Sequence, residues 1–144
     1  MSYWVVDANL AVNTALNFSE RLERFWERVN QEQITPCAPR LWMSETTSAV
    51  RAYLAQKQIT ANEAEQALHT IHALRVEIID EDERLCLRAL ELAGMLAQSK
   101  AYDALYLATA EKMDTEFWTA DRRLYNRCWD DLGLEWVHWI NELK

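Results

Sequence analysis

Four carboxylates, Asp7, Glu45, Asp103 and Asp121, stand where core packing alone gives little reason for them. Asp103 opens a helical segment whose following residues, 104–110, are apolar on nearly every side, so that helix is expected to be buried. Asp121 follows the short strand-like run 116–118, after Thr119 and Ala120, and Asp7 ends the apolar run 3–6 just before another helical segment. Acids just past a strand end, or opening a buried helix, are placed as metal sites in layered α/β folds are placed. Glu45 lies within a helix expected to begin near Pro39. Helical spacing sets it on one stripe with Leu41, Ala49 and Ala52, with Met43, Val50 and Leu54 opposite and Arg40 and Arg51 at the edge, so it should face something other than bulk water.

Two like charges ~4 Å apart at an effective dielectric near 20 repel by ~4 kcal/mol, so four clustered carboxylates would either take up protons or bind cations. A donor set of oxygens, with no histidine or thiolate, selects hard cations, hence Mg²⁺ or Mn²⁺. Ions held in this way activate water, neutralise a phosphate and stabilise a leaving oxygen. The residues alone therefore favour a metal-dependent phosphoryl hydrolase. A plainer reading stands beside it: Asp7, Asp103 and Asp121 each precede or begin a helix, where aspartate caps free N–H groups for ~1 kcal/mol. Glu45, inside its helix, escapes that explanation, and four acids from separated parts of the chain together favour a site.

The elements that must position these acids alternate. Apolar runs at 3–6, 34–37, 76–79, 116–118 and 134–137 read as strands, with helical segments filling every gap. Leu85, Ala89, Leu92 and Leu96 form one helical stripe. Ala64, Leu68 and Ile71 form another, started by Thr60 with Glu63 three residues on as a capping box, and this helix is expected to pair with its predecessor as a hairpin. Strands alternating with helices, without an Asn-Gly hairpin signal, predict a parallel sheet covered on both faces. Ligands of such sheets bind outside the carboxyl ends of the strands, where Asp7 and Asp121 fall.

Composition narrows the classes. The 144 residues, half of them hydrophobic, are expected to form one domain, 1–144, burying ~70% of the unfolded surface. Two glycines and two prolines leave no room for a flexible linker or a glycine-rich phosphate loop. The first residues, MSYWVVDANL, lack a basic leader, and no run approaches the ~20 apolar residues that span a bilayer, so no membrane association and a cytoplasmic location are expected. Cys37, Cys86 and Cys128 are odd in number and widely spaced, which reads as reduced thiols. His69 and His72 share a helix face but have no cysteine or carboxylate cluster to complete a zinc shell, and they read as structural.

The pieces VVDAN around Asp7, PRLWMSETTSAV around Glu45, AYDALYLATAE around Asp103 and FWTADRRL around Asp121 occur in an order and spacing that resembles the PIN-domain ribonucleases, in particular the VapC-type toxins of bacterial toxin–antitoxin pairs. The resemblance covers essentially the whole chain. It implies a three-layer α/β/α sandwich around a central parallel sheet. It also implies a Mg²⁺ or Mn²⁺ site in which Asp7, Asp103 and Asp121 are the principal ligands and Glu45 holds a second metal or orients the attacking water. Asn9 and Thr119 match polar positions that support the ligands. Two departures stand out: Arg122 and Arg123 follow Asp121 where some relatives carry a further acid, and Asn9 replaces a common serine or threonine. The implied activity is metal-dependent endoribonuclease, with a protein antitoxin and a second copy of the chain as partners.

A net charge of −8 sits awkwardly with an RNA substrate, since affinity for nucleic acid usually rests on basic surface. Arg40, Arg122, Arg123 and Lys100 flank the acids and are candidates for phosphate contacts. Seven tryptophans cannot all be buried in one small core, so some are expected at an interface or partly buried at the surface. Other acid-rich α/β classes fit less well. A receiver domain needs an acidic pair at the first strand, and a haloacid-dehalogenase-type phosphatase needs D-x-D, whereas Asp7-Ala8-Asn9 lacks the second acid. The competing reading is a catalytically idle PIN-like module that binds protein or RNA. The sequence names neither the RNA cut, nor the antitoxin, nor the number of metals, and it does not separate toxicity from RNA processing.

Overall fold

The structure, a computed structural model, describes residues 2–143. Its centre is a five-stranded sheet in the order β3-β2-β1-β4-β5, in which every neighbouring pair is parallel. The strands are β1 (Ser2–Val6), β2 (Ile34–Pro39), β3 (Glu77–Ile79), β4 (Glu116–Thr119) and β5 (Val137–Trp139). Between them run α1 (Ala8–Leu16), α2 (Glu20–Gln31), α3 (Leu41–Ala55), α4 (Ala61–Ala73), α5 (Glu83–Met95), α6 (Tyr102–Met113) and α7 (Arg122–Leu132), and a 3₁₀ turn, Ile140–Glu142, follows β5. From β1 the chain moves outward to β2 and β3, then returns to the other side of β1 for β4 and β5. The order therefore reverses between β1 and β4, and the carboxyl ends of such a pair are where ligands of parallel sheets bind.

Strand periodicity divides the core into two layers. Val5, Cys37, Phe117 and Val137 point to one face, where α3, α4, α5 and α6 cover them; Trp4, Val6 and Trp118 point to the other, against Leu22, Phe25 and Val29 of α2. This is the α/β/α sandwich that the alternating pattern predicts. Helix α6 is wedged between the sheet and α5. Ala104, Tyr106, Leu107, Ala108, Thr109 and Ala110 are all buried there, which explains its all-round apolar sequence. Its one buried threonine is satisfied by back-bonding to Leu105 O at 2.7 Å. Local signals act as expected at α4, where Thr60 and Glu63 form the reciprocal capping box.

Two expectations are corrected. The last strand covers Val137–Trp139 rather than 134–137, because Gly133 ends α7 in the left-handed region (φ 61°) and Leu134 N–H turns back to Cys128 O at 3.0 Å. Leu134 is thereby committed to the helix cap, and its carbonyl accepts from Val137 N–H, so pairing with β4 starts only at Val137. In α3 the buried stripe is Trp42, Thr46 and Val50, while Met43 is 39% exposed. The stripe is rotated because Trp42, the largest side chain available, takes the core position. Of the seven tryptophans, Trp4, Trp42 and Trp118 are buried, Trp26, Trp136 and Trp139 are partly buried, and Trp129 is exposed.

Candidate active site

Each of the four acids reaches the carboxyl edge of the sheet by a different element. Asp7 follows β1 directly, and its backbone N–H bonds Trp118 O at 3.2 Å, which ties it to the neighbouring strand β4 across the reversal point. Asp121 lies two residues beyond β4. Asp103 sits in the first turn of α6, and Glu45 on the second turn of α3. The acids sense one another across these elements: the charge of Asp121 raises the proton affinity of Asp7 and of Asp103, and that of Asp103 raises the proton affinity of Glu45.

Asp7 is the most deeply placed, at 6% exposure. Its Oδ1 accepts from Leu10 N–H at 2.8 Å, capping α1, and its Oδ2 accepts the Thr119 hydroxyl proton. Thr119 Oγ1 in turn accepts from Asp121 N–H at 2.9 Å, so one buried threonine connects the two aspartates. Burial pushes the Asp7 carboxyl up to about 7, against the pull of these hydrogen bonds, and Asp121 adds to the rise. Asp121 caps α7 through Oδ1, accepting from Arg123 N–H at 2.9 Å and Leu124 N–H at 3.2 Å. The capping explanation thus holds for Asp7 and Asp121, each through a single oxygen, and leaves their charge to be accounted for.

It fails for Asp103, which makes no side-chain cap; α6 starts behind Ala101, whose side chain has none to offer. Asp103 Oδ2 instead accepts from Gln98 Nε2 at 3.0 Å. Desolvation raises its proton affinity, with Asp121 adding to the effect and Arg127 opposing it. Glu45 is raised for the same first reason, burial, while the hydroxyl of Tyr106 donates to its Oε1 at 2.6 Å. Glu45 and Asp103 line an open cavity of about 470 Å³ with Gln98, Lys100 and Tyr102. A cavity of about 530 Å³ at the opposite edge of β4, lined by Glu111, Asp114 and Glu116, holds none of the four acids.

Among the described residues no three acids, histidines or cysteines stand close enough to form a closed metal cage. The donor chemistry nevertheless suits a hard cation that keeps part of its water shell. Mg²⁺ is commonly held by one or two carboxylates plus waters, and here Asp7 is buried and Glu45 and Asp103 partly so, without a cationic side chain bonded to any of the three. A divalent ion would relieve both their desolvation and their mutual repulsion.

The other candidate residues are placed less uniformly. Thr119 touches Asp7, whereas Asn9 is exposed on α1 and among the described residues makes no hydrogen bond to the acids. Arg40 is paired with Asp80 at 2.5 Å, and the Arg122 guanidinium lies over Trp139, 5.4 Å from the ring centre. Arg123 is exposed beside Asp121. Sequence reasoning passed over Gln98, Tyr106 and Arg127. Tyr106 carried a visible signal, the one phenol within the apolar run 104–110. Gln98 did not, since it lies in the loop between α5 and α6. Cys128 lies beneath the site, where burial foremost, with Asp103 and Asp121 adding to it, pushes the thiol up to about 12 and keeps it neutral.

The family model described as PIN domain matches residues 4–129 of the chain. Comparison with curated protein sequences finds no match. Among solved structures, DNA-bound VapBC from Salmonella typhimurium is similar at 18% identity and a TM-score of 0.70, covering 97% of this chain and 99% of that one. VapBC2 from Rickettsia felis, bound to a promoter DNA fragment, is similar at 16% identity and a TM-score of 0.67, covering 95% and 96%. A toxin–antitoxin complex from Klebsiella pneumoniae is similar at 18% identity and a TM-score of 0.63, covering 92% and 93%. At these identities the likeness is one of fold.

Proposed function

The chain belongs to the PIN domain family, whose members are generally nucleases, and on that premise we propose that it is a Mg²⁺- or Mn²⁺-dependent endoribonuclease acting as the toxin of a toxin–antitoxin pair. The reading is supported above all by the electrostatic linkage of four acids from separate segments, Asp121 acting on Asp7 and Asp103 and Asp103 acting on Glu45, with burial raising the proton affinity of Asp7, Glu45 and Asp103. When bound, the ion supplies Lewis acidity, easing loss of a water proton and neutralising phosphate charge. Asp7, Asp103 and Asp121 would hold it, directly or through its waters. Thr119 fixes the Asp7 carboxylate from the sheet side, and Gln98 fixes Asp103 from the loop before α6. Glu45 orients the attacking water and takes its proton, a role that its raised proton affinity favours.

Arg123, exposed next to Asp121, is the arginine of the three candidates with least to give up for a phosphate, because Arg40 must first leave Asp80 and Arg122 must leave Trp139. An antitoxin partner is supported by the solved toxin–antitoxin complexes of the same fold. A homodimer is supported by exposed Leu87, Leu90 and Met95 on α5 and by Trp129 on α7. No helix among the described residues is long and apolar enough to cross a membrane, which agrees with action on cytoplasmic RNA.

One observation favours a second reading. The lack of a closed cage among the described residues suits an idle PIN-like module that binds protein or RNA without cutting. Incubating the purified chain, free of any antitoxin, with structured RNAs in Mg²⁺, Mn²⁺ or EDTA separates the two. Metal-dependent cleavage that is lost in both Asp7→Asn and Asp103→Asn supports the nuclease. Equal cleavage by all three proteins points to contamination, and no cleavage under any condition supports the idle module.

A further inference from the structure

We infer that Tyr106 is the positioning residue for Glu45, clamping one oxygen of its carboxylate so that the other is the one presented to a cation or its water. The inference rests on the metal-dependent reading above and deepens it. Tyr106 is 2% exposed on α6 and packs its ring against Phe117, with centroids 5.8 Å apart. That packing needs only the ring, and phenylalanine would supply it. The hydroxyl instead crosses from α6 to α3 and donates to Glu45 Oε1 at 2.6 Å, within the short range of charge-assisted bonds. The backbone N–H of Ala8, the residue after Asp7, lies near the same hydroxyl and slightly favours its ionised form. One phenol therefore bonds α6 to α3, the carriers of Asp103 and Glu45, beside the junction that carries Asp7. It follows Asp103 by three residues, so both lie on one face of α6.

The direction of the bond is fixed. An ionised carboxylate oxygen only accepts, so the phenol O–H is the donor to Oε1. A half-buried glutamate on its own samples several rotamers, and ordering it on binding costs free energy. With one lone pair of Oε1 taken by Tyr106, the side chain is already oriented, and Oε2 keeps both of its lone pairs for a ligand. Partners of this kind orient metal-binding carboxylates, and their removal commonly weakens metal affinity 10- to 100-fold.

The test is a double-mutant cycle on the full chain with Tyr106→Phe, Glu45→Gln and the double variant. Mn²⁺ affinity is read from the electron paramagnetic resonance of free Mn²⁺, alongside melting in EDTA. Tyr106→Phe is expected to weaken Mn²⁺ binding about tenfold, and the double variant to bind within about twofold of Glu45→Gln alone. If Tyr106→Phe melts lower but binds Mn²⁺ as the parent does, or if its full effect persists in the Glu45→Gln background, Tyr106 is a packing residue and the inference is wrong. A parent that binds no Mn²⁺ fails differently: the metal-dependent reading falls first and takes the positioning role with it.

Discussion

Removing the charge at Asp7 should stabilise the metal-free protein, and increasingly so as pH rises. Burial lifts this carboxyl from 3.8 to about 7, an interval of roughly three pH units. At ~1.4 kcal/mol per unit, a charged Asp7 costs the folded state about 4 kcal/mol above pH 7. The sign follows from linkage: the folded pKa lies above the unfolded one, so the group contributes full stability below about pH 4. That stability is lost as pH rises through about 7. Asparagine keeps the acceptor for Leu10 N–H and can donate its amide to Thr119 Oγ1, but it does not ionise. Asp7→Asn should therefore melt close to the parent near pH 4 and well above it at pH 8 in EDTA. The gap at pH 8 is worth roughly 8–16 °C, since ~1 kcal/mol moves the midpoint of a chain this long by roughly 2–4 °C. Saturating Mn²⁺ should reverse the order, because the parent alone gains the full binding term. Circular dichroism melts at both pH values, with EDTA and with Mn²⁺, measure this. A variant that melts below the parent at pH 8 in EDTA would refute the reasoning and leave Asp7 as a helix cap whose charge is well accommodated.

Asp103→Asn should behave similarly on a smaller scale, because Asp103 is only partly buried: its metal-free melting should be no lower than the parent's, and its gain from Mn²⁺ smaller, by the same melts. Thr119→Val removes the hydroxyl that serves both Asp7 Oδ2 and Asp121 N–H; it should weaken Mn²⁺ binding about tenfold by calorimetry and destabilise the fold by about 1–3 kcal/mol in urea titrations. Thr60→Ala serves as a control far from the acids, losing about 1 kcal/mol with the capping box of α4 while leaving Mn²⁺ affinity unchanged in the same titration.

Legibility in the sequence followed the strength of local signals. The alternation of apolar strands with periodic helices was enough for the parallel sheet, and the burial of α6 was visible in the run 104–110. The last strand was misplaced because Leu134, apolar and beside Val137, reads as strand when its N–H is in fact used by the α7 cap. The rotation of the α3 stripe came from tertiary preference for Trp42 in the core, which periodicity alone does not rank against Met43. At the site, the placement of the acids at strand ends and helix starts could be read from spacing. Gln98 and Arg127 could not, because each acts through a contact made only when α5, α6 and α7 assemble. Arg40 shows the converse: proximity in sequence to the acid motif did not predict that Asp80 would take its guanidinium.

If the four acids hydrolyse an RNA phosphodiester with a metal-activated water, the new ends carry oxygen from the solvent. Cleavage of RNA in H₂¹⁸O with Mn²⁺, followed by mass spectrometry of the new ends, measures this. Attack by water places one ¹⁸O in a terminal phosphomonoester and forms no cyclic phosphate, and the signal should vanish with EDTA and in Asp103→Asn. Unlabelled ends carrying a 2′,3′-cyclic phosphate would mean that the neighbouring ribose hydroxyl was the nucleophile, and would contradict the account.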